Sequence, residues 1–125
     1  MTDSLKKLFI LVVEDDVLQR MAASDMFQAA GYLVHEASSV EDALLLLLAH
    51  PDIALVFTDL NLSGVVSGLS LALDMAEHLP QTALIMVSGQ TCPENLPSGA
   101  RFHPKPYDPI AVLQQASVMT AARYS

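Results

Sequence analysis

The chain has few cysteines and few basic side chains. Cys92 is the only cysteine among 125 residues, so an intramolecular disulfide is impossible and a small disulfide-stapled secreted fold is excluded. Lysine and arginine total 6 against 14 aspartate and glutamate residues, which gives a formal net charge of −8. Because an acidic chain is repelled by phosphate backbones and anionic lipids, this charge argues against nucleic acid or a membrane surface as a partner.

Long hydrophobic segments are also missing. The apolar run at residues 43–49 is soon followed by Pro51, and it is far shorter than the roughly 18 apolar residues that a membrane-spanning helix needs. The apolar run at residues 8–13 is too short for the core of a signal peptide. These absences predict a cytoplasmic protein. With 52% hydrophobic and only 16% charged residues, the chain is expected to form one packed domain over residues 1–125.

Apolar runs typical of buried strands alternate with segments of helical periodicity. The predicted strands are residues 9–13, 33–37, 53–58, 83–87 and 101–103. The first three strands are followed by predicted helices at residues 17–30, about 44–48 and about 69–78. This alternation predicts an α/β fold in which one five-stranded parallel sheet has helices on both faces.

Caps and prolines mark the ends of the predicted helices. Ser38 and Glu41 have the spacing of a capping box before the second helix. Asp108 followed by Pro109 is typical of a helix start and begins the last helix. Residues 89–99 contain two prolines and cannot form a full helix, so the fourth helix is predicted to be shortened or missing. The four histidines lack metal-ligand spacing and are predicted on the surface or in loops.

Polar residues follow the predicted strands at their carboxyl ends, where parallel sheets bind ligands. Acidic residues end the first strand, Asp59 the third and Ser88 the fourth, and Lys105 follows the fifth. Clustered carboxylates favour a hard divalent cation such as Mg²⁺. A metal, a nucleophilic carboxylate and a lysine together suit phosphoryl transfer.

Four segments at these strand ends resemble the signature segments of response regulator receiver domains. They are LVVEDD at 11–16, FTDLN at 57–61, VSG at 87–89 and HPKPY at 103–107. The resemblance covers essentially the whole chain and implies a (βα)5 flavodoxin-like fold. It also implies that an aspartate accepts a phosphoryl group from a sensor histidine kinase or a histidine phosphotransfer protein.

The resemblance implies a role for each matching residue in phosphoryl transfer. Asp59 matches the phosphoacceptor, and Lys105 matches the lysine that contacts the phosphate. Ser88 matches the hydroxyl that moves onto the phosphoryl group, and Phe102 matches the aromatic switch residue. A phenylalanine there can change rotamer but lacks the hydroxyl of the commoner tyrosine.

The resemblance also implies a set of Mg²⁺ ligands. Asp15 and Asp59 match direct ligands, and Glu14 matches an acid that acts more through water. The backbone carbonyl of Asn61 matches the group that completes the metal shell. Asp16 falls outside this acidic pair and is better interpreted as a helix N-cap.

Two segments depart from the family pattern. The interval from Ser88 to Lys105 is shorter than usual, and the loss falls in the fourth helix, which belongs to the family's usual output face. Ser63 stands where a proline is usual, and its loop is one residue longer than the common one.

The resulting hypothesis is a receiver, not a turnover enzyme, that signals through a separate downstream effector protein and could form a homodimer. Two alternatives stay open. One is a degenerate receiver that serves only as a protein interaction module. The other is a Mg²⁺-dependent phosphohydrolase, although that chemistry typically uses an acid where Asn61 stands. A flavin-binding protein is disfavoured because residues 14–16 would repel the phosphate.

Overall fold

The computed structural model describes residues 7–62, 68–90 and 92–121 and contains one five-stranded parallel sheet. The strands are β1 Phe9–Val13, β2 Leu33–Ala37, β3 Ile53–Asp59, β4 Ala83–Ser88 and β5 Arg101–Pro104. The helices are α1 Val17–Ala29, α2 Val40–Ala49, α3 Gly68–His78 and α4 Pro109–Thr120. The strand order β2-β1-β3-β4-β5 and the parallel pairing confirm the predicted flavodoxin-like α/β fold.

Two hydrophobic clusters cover the two faces of the sheet. In β1, Ile10 and Val12 point to the cluster that contains Phe27 of α1 and residues of α4. The alternate residue Leu11 points to the cluster formed with α2 and α3. All seven residues of β3 are buried, because this central strand is covered on both sides. The prediction of helices on both faces is therefore confirmed.

The helix starts show which predicted caps were right. Asp16 accepts a 2.9 Å hydrogen bond from the Gln19 amide and caps α1, and Asp108 accepts one of 3.0 Å from the Ile110 amide and caps α4. The predicted capping box of Ser38 and Glu41 is wrong.

The cap of α2 lies one residue later than predicted. Ser39 has an extended backbone, and its hydroxyl accepts a 3.1 Å hydrogen bond from the Asp42 amide. Since β2 continues to Ala37, Ser38 is needed as the link between strand and cap. Two successive serines followed by two successive acids fit the same pattern in either register, so the sequence could not distinguish them.

The predicted loss of a helix between β4 and β5 is also confirmed in the described residues. Residues 89, 90 and 92–100 form bends and turns without a helix. The prediction about Ser63 and its loop concerns residues 63–67, which lie outside the described residues. No helix in the described ranges is both long and apolar enough to cross a membrane.

The histidines correct another prediction. His35 lies inside β2 and His103 inside β5, and both side chains are half-buried instead of lying on the surface or in loops. The His35 ring is stacked between Phe9 and His50, with centroid distances of 4.8 and 4.2 Å. The stack places an imidazole at the β2 edge of the sheet.

Candidate functional site

Backbone hydrogen bonds continue past the strand ends and hold the four polar segments side by side. The backbone N–H of Glu14 donates to the Ala37 carbonyl at 3.0 Å, and the backbone N–H of Lys105 donates to the Ser88 carbonyl at 2.8 Å. The backbone N–H of Leu60 donates to the Val87 carbonyl at 2.9 Å. The parallel ladder therefore extends into the loops that carry the acids, the hydroxyl and the lysine.

The ammonium of Lys105 is the centre of the cluster. Its Nζ donates to Asp59 Oδ2 at 2.6 Å and to Glu14 Oε1 at 3.3 Å. It also donates to Gln19 Oε1 at 2.6 Å. Both carboxylate side chains are only 8% exposed, against 23% for the lysine. Two nearly buried acids therefore share one positive charge.

Burial and neighbouring charges shift the pKa values of this group. Burial raises the pKa of Glu14 to about 6, although the Asp16 amide and the Lys105 charge oppose that shift. Burial alone would lower the pKa of Lys105, but the hydrogen bond and charge of Asp59, together with Glu14, raise it. The lysine therefore stays charged at neutral pH.

Both oxygens of Asp59 have hydrogen-bond donors. The Asn61 amide N–H donates to Oδ1 at 2.8 Å, while Lys105 donates to Oδ2. The Asn61 side chain in turn donates to Ser88 Oγ at 2.7 Å, and the Gln90 amide donates to the same oxygen at 3.0 Å. The acid at the end of β3 is thereby connected to the hydroxyl at the end of β4.

The acidic loop after β1 is held from α1. Arg20 Nη1 donates to the Glu14 carbonyl at 2.9 Å, and its Nε forms a 3.1 Å ion pair with Glu36 of β2. The Asp16 amide donates to Glu14 Oε2 at 3.1 Å. Asp15 is half-buried beside Glu14, and its carboxyl group contributes to the raised pKa of Glu14.

The donor set fits a Mg²⁺ ion that keeps most of its water. In the described part of the chain, no three His, Cys, Asp or Glu side chains are grouped so that they could hold a metal by themselves. Mg²⁺ does not need such a cage, since it usually binds one or two carboxylates, several waters and phosphate oxygens. Asp15, Asp59, the Asn61 carbonyl and, through water, Glu14 could supply its protein ligands.

Phe102 is the one predicted site residue that lies apart from this polar cluster. It is paired with Met86 across β4 and β5 and packs, half-buried, against the cluster shared with α2 and α3. A different aromatic residue, Tyr107, lies near Lys105. Its ring packs edge-on against the ring of Phe57, with 5.4 Å between the ring centroids. Burial raises the pKa of Tyr107.

Sequence reasoning missed Gln19 and Arg20. The Asp16 cap signals that residue 19 lies in the first turn of α1, but local spacing does not show that its side chain reaches a lysine 86 positions away. A cavity of about 550 Å³ is lined by Gln19, Glu14 and Lys105, and its apolar lining includes Met26, Phe57 and Tyr107.

Comparisons with known proteins agree with this arrangement. Residues 10–107 match the family model described as response regulator receiver domain. Aerobic respiration control protein ArcA of Escherichia coli K12 is 37% identical over 81 residues, which are 65% of this chain and 33% of ArcA. The chain therefore spans about a third of the length of the curated relatives that it matches.

Solved structures show the same fold. A response regulator receiver protein from Sinorhizobium medicae WSM419 superposes with a TM-score of 0.85 at 24% identity, covering 95% of this chain and 98% of that one. A response regulator receiver protein from Pseudomonas putida has a TM-score of 0.77 at 28% identity, covering 90% and 97%. With the family model matched from β1 to beyond Lys105, the chain belongs to the response regulator receiver family.

Proposed function

We propose that the chain accepts a phosphoryl group on Asp59 in a Mg²⁺-dependent reaction and passes the signal to a separate partner. The observation that carries this proposal is the 2.6 Å contact between Lys105 Nζ and Asp59 Oδ2 beside Glu14. It gives a carboxylate at a strand end both a fixed cation and a neighbouring acid. Mg²⁺, when bound, would neutralise charge on the transferring group.

The transfer itself is a displacement at phosphorus. An oxygen of Asp59 attacks the phosphorus of a partner's phosphohistidine, an O–P bond forms and the P–N bond breaks. The electron pair of the broken bond stays on the imidazole nitrogen, which takes up a proton. Lys105 contacts the Asp59 carboxylate, and from this position its ammonium can also stabilise the negative charge on the phosphoryl oxygens.

Ser88 is suited to contact the product. Its Oγ already accepts hydrogen bonds from Asn61 and Gln90, so its own proton is the group left to donate. A phosphoryl oxygen on Asp59 is a strong acceptor for that proton. Movement of Ser88 toward the phosphoryl group would break the link to Asn61 and alter the loops after β3 and β4. Phe102 on the neighbouring β5 would then change rotamer, which is the switch role that the family implies.

A histidine kinase or histidine phosphotransfer protein would dock beside α1. Leu18 and Met21 of that helix are 75% and 52% exposed, and Ile110 at the start of α4 is 66% exposed. These apolar side chains lie on the two helices that flank the cavity next to Lys105.

The exposed free thiol of Cys92 suits a reducing compartment, which supports the proposed cytoplasmic location.

The test is intact mass after incubation with Mg²⁺ and a small acyl phosphate. We expect one added phosphoryl group on the unaltered chain, none on Asp59→Asn, and one on Asp25→Asn, which changes an exposed acid elsewhere on α1. A chain that gains no phosphoryl group, or gains it equally with Asp59→Asn, contradicts the proposal and favours an interaction module. Continued turnover of a phosphate ester would favour a phosphohydrolase instead.

A further inference from the structure

Gln19 is the third hydrogen-bond acceptor of the Lys105 ammonium. Its Oε1 lies 2.6 Å from Nζ, as close as Asp59 Oδ2 and closer than Glu14 Oε1 at 3.3 Å. An ammonium group has three N–H donors, so these three oxygens account for all of them. Gln19 is the only uncharged member of this set.

The backbone that carries Gln19 is held on both sides. The Gln19 amide donates to the Asp16 carboxylate at 2.9 Å, which anchors the first turn of α1. The next residue, Arg20, is bonded to the Glu14 carbonyl and to Glu36. The glutamine side chain therefore starts from an anchored turn that is also tied to the acidic loop.

A neutral acceptor has a particular value at this site. When phosphorus bonds to Asp59, the carboxylate loses its negative charge and the phosphoryl oxygens carry negative charge instead. The contacts of Lys105 with the two carboxylates must therefore change. The amide of Gln19 takes no part in that change of charge. It can accept a hydrogen bond from one N–H of Lys105 both before and after phosphoryl transfer. The long, flexible lysine side chain is thereby kept close to Asp59.

We propose that Gln19 is a positioning residue that fixes the Lys105 ammonium for its contact with the phosphoryl group. The inference rests on the proposed function for its chemical consequence, but the hydrogen bond itself can be tested on the chain alone.

The first test uses nitrogen-15 NMR of lysine side chains without any phosphodonor. Ammonium protons that are held by hydrogen bonds exchange slowly with water and give a visible signal, and Lys6 and Lys7 are the only other lysines. We expect one protected signal, identified by its loss in Lys105→Arg. Gln19→Met keeps the side-chain length but removes the acceptor, so the signal should broaden or vanish. Gln19→Glu restores an acceptor oxygen and should recover the signal.

The second test measures the rate of phosphoryl uptake from a small acyl phosphate with Mg²⁺, at donor concentrations well below saturation. Gln19→Met should be about tenfold slower, which corresponds to the low end of the range for one lost hydrogen bond to a charged group. Gln28→Met makes the same change at an exposed position later in α1 and should match the unaltered chain. Thermal unfolding checks that each variant is folded.

The outcomes separate the two proposals. If the unaltered chain takes up no phosphoryl group, the proposed function fails, and the NMR test alone decides whether Gln19 positions the lysine. If uptake occurs and Gln19→Met is as fast as the unaltered chain, the role of Gln19 is wrong while the proposed function stands. An unchanged lysine signal in Gln19→Met also overturns the role of Gln19.

Discussion

The side-chain amide of Asn61 donates a 2.7 Å hydrogen bond to the hydroxyl of Ser88 and thereby joins the ends of β3 and β4. We expect Asn61→Ala and Ser88→Ala each to lower the free energy of unfolding by about 0.5–1.5 kcal/mol. Because both remove the same contact, the double variant should lose about 1 kcal/mol less than the sum. Urea denaturation of all four proteins measures this coupling.

A distant pair provides the control for that cycle. Thr120 bonds to the Ala116 carbonyl within α4 and shares no partner with Asn61. Asn61→Ala combined with Thr120→Ala should therefore be additive to within about 0.5 kcal/mol. Equal additivity in both pairs would mean that the contact between Asn61 and Ser88 contributes nothing to stability.

Replacement of Lys105 should expose the repulsion between Glu14 and Asp59. In Mg²⁺-free buffer at neutral pH, Lys105→Met should lower the free energy of unfolding by about 1–3 kcal/mol, because two nearly buried acids lose their shared cation. Added Mg²⁺ should recover more stability in this variant than in the unaltered chain. Lys7→Met, at an exposed position before β1, is the control. Equal stability of both variants would contradict the prediction.

The raised pKa of Glu14 predicts a pH-dependent effect of Glu14→Gln. A carboxyl whose pKa is about 6 when folded and 4.5 when unfolded binds more protons in the folded state, so its stabilising contribution is present below pH 4.5 and lost as the pH rises through 6. Without Mg²⁺, Glu14→Gln should raise the free energy of unfolding by about 1–2 kcal/mol near pH 8. The gain should disappear near pH 4.5. A gain that does not vary with pH would contradict this assignment.

Gly68 should tolerate no side chain. A Cβ at this position would lie under 3.0 Å from the backbone of Asp59 and Leu60, and the Gly68 amide donates to the Leu60 carbonyl at 3.3 Å. Gly68→Ala should therefore lower the free energy of unfolding by roughly 2 kcal/mol or more. Gly99→Ala, where a Cβ meets nothing within 4 Å, should change it little. Similar denaturation midpoints for the two variants would refute the close approach.

The half-buried ring stack at the β2 edge of the sheet predicts sensitivity to acid. Burial and the neighbouring His50 lower the pKa of His35 against the opposing effect of Asp52, and His35 Nε2 has no hydrogen-bond partner. The folded state therefore resists protonation, and stability should fall as the pH drops below 6.5 through the lowered pKa.

His35→Phe tests this acid sensitivity, since it keeps an aromatic ring in the stack and removes the titrating group. It should lose less stability than the unaltered chain between pH 7.5 and pH 5. His78→Phe, on the exposed surface of α3, should lose as much as the unaltered chain. Denaturation at both pH values measures the differences, and identical pH profiles for all three proteins would contradict the prediction.

Much of the fold could be predicted because its signals are local. Continuous apolar strands alternate with helical periodicity, and strands of one parallel sheet end at the same edge, so Asp59, Ser88 and Lys105 could be placed together from their order alone. Pro93 and Pro97 exclude a full helix whatever surrounds them. The N-cap at Asp16 depends only on its own turn.

The remaining features depend on neighbours that are distant in the chain. Ser38 and Ser39 fit the capping pattern equally well until the end of β2 decides between them. Histidine is a residue type that is often found on the surface, but the His35 ring is stacked between the rings of Phe9 and His50.

The sequence by itself determined the order of strands and helices, the acids and the lysine at the strand ends and the missing helix, because periodicity, proline and strand polarity act over short distances. Only the tertiary structure decided that the lysine is shared among Asp59, Glu14 and Gln19, and that Asn61 holds Ser88. Those contacts join residues from different strands, loops and helix α1, and their distances follow from how the helices pack on the sheet.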